Sequence, residues 1–101
     1  MLESKKAINF DLSDVRLRKY YPSKNYKKAW SDIKSFLLEI VFNHRQYSGY
    51  VSIECMSMAY VIQHITEMSL LYQWLQYCVK EFDVTIVSDE YSLKRYISKE
   101  N

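Results

Sequence analysis

Residues 6–12 read Lys6-Ala7-Ile8-Asn9-Phe10-Asp11-Leu12, with large apolar side chains at every second position from Ile8 onward. Successive strand side chains point to opposite faces, so Ile8, Phe10 and Leu12 share one face of a β-strand while Ala7, Asn9 and Asp11 share the other. One face is built for a core, and the other carries a single carboxylate close to the strand end. An aspartate in that place also serves as a turn former or helix cap, so the surrounding sequence has to separate structure from chemistry.

Working outward, residues 13–24 contain Ser-Asp, Tyr-Tyr-Pro and Ser-Lys-Asn. This is a polar connection in which Pro22 disfavours helix at Tyr21 and permits one soon after. Tyr26, Ala29/Trp30, Ile33, Phe36/Leu37 and Ile40/Val41 then recur at helical spacing and predict an amphipathic helix of about five turns. Residues 44–54, rich in Tyr, Val, Ser and Ile, read as a strand region split near Gly49. Ser57 is expected to open a second helix with Met58, Val61/Ile62, Ile65 and Met68 inward. A further short helix is expected from Ser69, with Leu71, Trp74, Leu75 and Cys78 inward. Phe-Asp-Val-Thr-Ile-Val at 82–87 is a last strand by alternation and β-branching. Residues 89–101 are expected to form a terminal extension, with a small helix or extended stretch over 89–97, and residues 1–5 are expected to be flexible.

The order strand, helix, split strand, helix, strand predicts an α+β fold, a ferredoxin-like split βαβ sandwich (βαββαβ) with helices on one face of an antiparallel sheet. The other face of such a sheet is either solvated or covered by a second subunit. In the second case the chain is a homodimer through that open face, and Asn9, Asp11 and the many tyrosines meet their copies. A two-fold axis near the end of the first strand brings Asp11 to its mate.

Bulk properties agree with one small domain spanning residues 1–101. A chain of this size builds a core but does not enclose a deep pocket, which favours a cleft shared by two copies. With 49% hydrophobic and 26% charged residues, it has an ordinary globular balance. Its apolar runs fall far short of the ~20 residues that span a bilayer, and no secretory h-region follows Met1, so a cytoplasmic protein without membrane contact is expected. Cys55 and Cys78 lack Cys-x-x-Cys spacing and histidine partners, which argues against a disulfide framework or zinc site. Ten tyrosines are the compositional anomaly, and they suit protein interfaces and base stacking alike. Charge is uneven: residues 1–28 hold eight basic side chains against Glu3, Asp11 and Asp14, which leaves the rest at −3 within a total of +2. A basic end of this kind suits an anionic partner as well as a solvated lysine face.

Two symmetry-related Asp11 carboxylates have two uses. They hold a hard divalent metal such as magnesium through oxygen ligands, or their repulsion leaves one protonated as the acid and the other as the base. Both suit phosphodiester cleavage, and the 2′-hydroxyl of RNA, as an internal nucleophile, makes the metal optional. Arg16, Arg18, Lys19, Tyr20, Tyr21, Lys24 and Lys27/Lys28 interleave cations with aromatics, the mixture that neutralises phosphates and stacks bases. Arg45 joins Arg16, Arg18, Lys19 and Tyr20 among the candidate RNA contacts. Ser48 in Gln-Tyr-Ser-Gly-Tyr is a candidate donor to a phosphate oxygen. Glycine-rich phosphate loops, nucleophile elbows and His-Glu-x-x-His are absent.

Several segments, in order, resemble the virulence-associated protein D family. They are Ala-Ile-Asn-Phe-Asp-Leu, the basic loop, Tyr-Lys-Lys-Ala-Trp-Ser-Asp-Ile, Arg-Gln-Tyr-Ser-Gly-Tyr-Val, Trp-Leu-Gln-Tyr-Cys-Val-Lys-Glu-Phe and Ser-Asp-Glu-Tyr-Ser. The resemblance covers nearly the whole chain from Lys6. It implies a small homodimeric endoribonuclease of ferredoxin-like fold, similar in architecture to the small CRISPR-associated adaptation nucleases, acting on single-stranded RNA or mRNA. It also implies a possible toxin role with an antitoxin partner. The family's aspartate falls on Asp11, its following hydrophobic residue on Leu17, its serine on Ser48 and its second acid on Glu81, so Asp11, Ser48 and Glu81 are the implied catalytic residues and Leu17 a supporting one. Gly49 follows the serine where the family glycine precedes it, and Glu81 replaces aspartate, adding a methylene of about 1.5 Å. The alternative is a non-catalytic dimeric module that binds nucleic acid or protein on the same scaffold.

Overall fold

The computed structural model describes residues 3–46 and 49–87. They form β1 (Lys5–Leu12), α1 (Asp14–Tyr20), α2 (Lys28–Glu39), β2 (Phe42–Gln46), β3 (Gly49–Ser52), α3 (Met58–Leu71), α4 (Leu75–Cys78) and β4 (Val79–Val87). The strands make one sheet in the order β2-β3-β1-β4, and every neighbouring pair is antiparallel. This α+β arrangement is compatible with the expected ferredoxin-like fold. The extension expected at 89–101 lies outside the described residues. Among the described residues, no helix is long and apolar enough to cross a membrane.

β1 is central, and its alternation sorts the two layers. Ile8, Phe10 and Leu12 are buried in one core with Leu17 of α1, Ala29, Ile33 and Leu37 of α2, Val61 and Met68 of α3, and Cys78 of α4. Asn9 and Asp11 are exposed on the opposite face. Lys6 is the exception on the core side: it is buried, and its ammonium donates to Met56 O (2.6 Å), Ser4 Oγ (2.7 Å) and Ser4 O (3.0 Å). Three acceptors match the three donors of an ammonium, so the charge is fully hydrogen-bonded without a carboxylate. Its backbone N–H also donates to Ser52 Oγ at 2.9 Å, and Ser4 bridges Met56 just ahead of the strand.

Three expectations about boundaries are corrected. The polar connection after β1 contains a helix, α1, because Ser13 Oγ accepts from the Arg16 N–H, Asp14 sits in the first turn and Arg18 and Lys19 sit in the last. Its single buried residue, Leu17, is too little periodicity to announce a helix. Conversely, α2 stops at Glu39 although apolar spacing continues to Val41. Val41 takes φ 63°, a costly value for a β-branched residue, and lets Ile40 and Phe42, on either side of it, both be buried. Its carbonyl accepts from the Ile53 N–H at 2.9 Å, which ties the bend to the end of β3.

The third correction concerns the second half. Ser57 caps α3 as expected, with its Oγ accepting from the Tyr60 N–H at 3.1 Å. The helix then runs through Leu71, so the helix expected from Ser69 begins only at Leu75. Ile62 and Leu71, both expected inward, are 58% and 64% exposed. At about 100° per residue they fall to either side of the Val61–Ile65–Met68 stripe. β4 starts at Val79, ahead of the expected 82, and so draws Lys80 and Glu81 into the sheet.

Candidate functional site

Asp11 and Glu81 are direct partners in the β1–β4 ladder. Cross-strand partners share a sheet face, so both carboxylates stand on the open face at the C-terminal end of β1. One step further in, Asn9 pairs with Asp83. The ladder shifts register between Asp11 and Leu12: Asp11 faces Glu81, but Leu12 faces Val79. Lys80 is thus an extra residue in β4, a bulge that releases its side chain from strict alternation. Its Nζ lies 3.6 Å from Asp11 Oδ2, with both side chains 60% exposed. The bulge sets an ammonium beside Asp11, whose carboxylate would otherwise face Glu81 across the strands with no cation at hand. The result is a solvent-facing group of a carboxylate, its ammonium partner and a second acid.

The basic residues are less concentrated than a loop would have made them. Around α1, with Leu17 turned to the core, Arg16 and Tyr20 lie on one flank, Arg18 on the other, and Lys19 points outward. Arg18 Nη2 donates to Tyr26 Oη at 3.3 Å and its guanidinium lies 5.3 Å from that ring's centre. Lys19 Nζ is 5.2 Å from the centre of the Tyr20 ring. Arg16 faces α4, where burial pushes the Cys78 thiol up and the guanidinium opposes the shift. Leu17 is fully buried, so its part is packing and it touches no ligand. Arg45 occupies a second register shift, in β2. β2 lies two strand spacings from β1, about 10 Å. Ser48 lies outside the described residues, while its neighbour Gly49 pairs with Asn9.

The described tyrosines lie away from the open sheet face. Tyr50 is buried on the core side of β3, stacked with Phe10 (6.1 Å) and with His44 (4.8 Å). Tyr20, Tyr21, Tyr72 and Tyr77 gather instead around Trp74 and the α1–α4 contact. Tyr21 Oη donates to Asp32 Oδ2 at 2.6 Å, and Tyr72 Oη donates to the Asp32 carbonyl at 3.3 Å. Burial, then this hydrogen bond and the Asp32 charge, push the Tyr21 phenol up to about 12. Burial and the Asp32 and Glu39 charges also raise Tyr72. By register, the described open face includes Lys5, Ala7, Asn9 and Asp11 on β1, flanked by Glu81, Asp83, Thr85 and Val87 on β4 and by Gly49 and Val51 on β3, with Asn43 of β2 beyond.

Magnesium at Asp11 needs near-octahedral oxygen ligation. Among the described residues no group of three or more His, Cys, Asp or Glu side chains is placed to hold a metal, and the Lys80 ammonium stands beside Asp11. His64 Nδ1 and Glu67 Oε1 do meet at 3.0 Å on α3, as a pair without a third ligand.

Lys80 is the residue that sequence reading missed. A run of Val-Lys-Glu-Phe reads as the end of a helix or the start of a strand, and nothing local announces a bulge. No protein-family model matches the chain, and no match is found among curated proteins.

Proposed function

We propose that the chain is an endoribonuclease that cuts single-stranded RNA, with Asp11, Lys80 and Glu81 as its chemical centre. The observation that carries the reading is the pairing of Asp11 with Glu81 across the strands with the Lys80 ammonium 3.6 Å from Asp11. The resemblance to the virulence-associated protein D family supports it. It extends to a cytoplasmic homodimer through the open sheet face, compatible in fold with the ferredoxin-like nucleases, and to a toxin held in check by an antitoxin.

In the proposed reaction, Asp11 takes the proton of a ribose 2′-hydroxyl. The O2′–phosphorus bond forms as the phosphorus–O5′ bond breaks, leaving a 2′,3′-cyclic phosphate. The departing O5′ takes a proton from the protonated Asp11 of the partner subunit, an acid and base pair made from one residue by symmetry. Lys80 offsets the negative charge that grows on the non-bridging oxygens, and Glu81, across the ladder from Asp11, positions the RNA or the interface. Arg16, Lys19 and Arg45 hold phosphates, and Ser48 adds a donor.

A labelled single-stranded RNA tests this directly. Wild type should yield 2′,3′-cyclic phosphate and 5′-hydroxyl ends, Asp11→Asn should lose at least a hundredfold in rate, and a strand lacking 2′-hydroxyls should survive. Cleavage by Asp11→Asn at the wild-type rate would sink the assignment. Binding without cleavage, indifferent to Asp11→Asn, would favour the non-catalytic dimeric module. Sedimentation should report a dimer, and a monomer at working concentration would remove the partner's Asp11 from the mechanism.

A further inference from the structure

The α1–α4 contact carries an aromatic cleft that the chemical centre does not use. Tyr20, Pro22, Leu71, Gln73, Trp74 and Tyr77 line a space of about 360 Å³. Tyr20 and Tyr77 are stacked, with centres 4.7 Å apart and planes 19° apart. Tyr21 meets Trp74 edge-on at 5.0 Å and 71°, and Tyr72 lies 5.7 Å from the same indole. Tyr21 and Trp74 are held before any ligand arrives, since Tyr21 is bonded to Asp32 and Trp74 is almost wholly buried. The rim remains open, with Leu71 64% and Tyr77 47% exposed. Large apolar side chains left this open beside a pre-ordered ring array form a platform for a flat ligand.

Charge selects the kind of flat ligand. Among the described residues no acid lines this cleft; Lys19 lies 5.2 Å from the Tyr20 ring centre, and Arg16 shares the Tyr20 flank of α1. A second cleft, of about 320 Å³, is lined by Glu3 and Glu54 and would repel a phosphate strand. The aromatic cleft also sits at the correct end of the sheet. α1 begins three residues after Asp11, and α4 runs directly into β4 ahead of Lys80; the Ser13 N–H to Cys78 O bond of 2.8 Å joins the two.

We infer that this cleft is a subsite for one unpaired nucleobase of a single-stranded RNA, stacked on the Tyr20–Tyr77 pair with its phosphate toward Lys19 and Arg16. The inference rests on the ribonuclease reading for its substrate but is measured by binding alone. Stacking accepts any base, and Gln73 adds one amide able to donate or accept.

The probe is 2′-O-methyl hexauridylate, which has no free 2′-hydroxyl to be cut, titrated into the full chain at fixed salt. Tryptophan fluorescence reads the binding, since Trp74 lies in the cleft. Tyr77→Ala should weaken binding about tenfold and remove the fluorescence change, whereas Tyr77→Phe, which keeps the ring, should stay within about twofold of wild type. A hexamer of abasic sugar phosphates should bind weakly and ignore Tyr77→Ala. Circular dichroism checks that the exposed Tyr77 change leaves the fold intact. Equal binding by Tyr77→Ala, equal sensitivity of the abasic strand or no binding at all would overturn the subsite. If RNA is never cleaved but Tyr77 still governs binding, the ribonuclease reading falls and the subsite stands. If RNA is cleaved and Tyr77→Ala keeps the wild-type KM, the reverse holds.

Discussion

Replacing Lys80 by methionine separates stability from chemistry at the centre. At 3.6 Å in water, two unit charges attract by about 1.2 kcal/mol. A Debye length of about 8 Å at physiological salt brings that to about 0.7 kcal/mol before rotamer entropy is charged against it. Both side chains are 60% exposed, so the water value is the relevant one. Losing the ammonium also leaves Asp11 facing Glu81 uncompensated, a cross-strand repulsion of about 0.2–1 kcal/mol. Lys80→Met should therefore cost about 1 kcal/mol in urea denaturation. The effect on turnover should be far larger: removing a group that stabilises charge in the transition state typically costs about 10²–10³ in kcat. Single-turnover cleavage of a fluorogenic single-stranded RNA gives the rate, and Lys80→Arg should recover part of it because the charge remains. A Lys80→Met rate within about threefold of wild type would remove the residue from the chemistry. A stability loss above about 3 kcal/mol would show that the ion pair is structural, against its exposure.

Three further outcomes follow from the packing. Tyr21 holds its proton more tightly folded than unfolded, with the phenol at about 12 against an ordinary 10.0, so its contribution is complete below pH 10 and lost as pH rises through 12. Phenolate absorbance should show a late-titrating tyrosine that Asp32→Asn brings earlier; an unchanged titration would contradict the hydrogen bond. Leu17→Ala should cost about 2–5 kcal/mol in chemical denaturation, since Leu17 is fully buried, while the folded fraction keeps its rate per molecule. A loss of rate in fully folded Leu17→Ala would return that residue to the site. Ser13→Ala removes the α1 cap and should cost about 1 kcal/mol, with faster amide exchange confined to residues 14–20; uniform exchange would deny α1 its cap.

The positions that sequence reading found are those whose signals are local. Alternation from Ile8 to Leu12 settles which side of β1 is core, because a strand's side-chain period needs no partner to define it. Ser57 as a cap and the Ala29–Ile33–Leu37 stripe are legible for the same reason. α1 was obscured because two turns with one buried residue resemble a charged loop. Leu71 and Ile62 fit the inward spacing yet lie exposed, because helical spacing tolerates a wide stripe while packing uses a narrow one.

The alternating strand, the acid at its open end and the basic, aromatic segment beyond it are legible in the residues alone. That Glu81 faces Asp11, that a bulge delivers Lys80 to Asp11, and that Tyr20 and Tyr77 line an α1–α4 cleft while the described open face is bare of tyrosine follow from how distant segments pair. The physical reason is that side-chain direction along one strand follows from backbone geometry, whereas register, bulges and ring stacking are set by which distant segments pair. Those pairings minimise the energy of the whole core, and residues far apart in the chain carry no local mark of it.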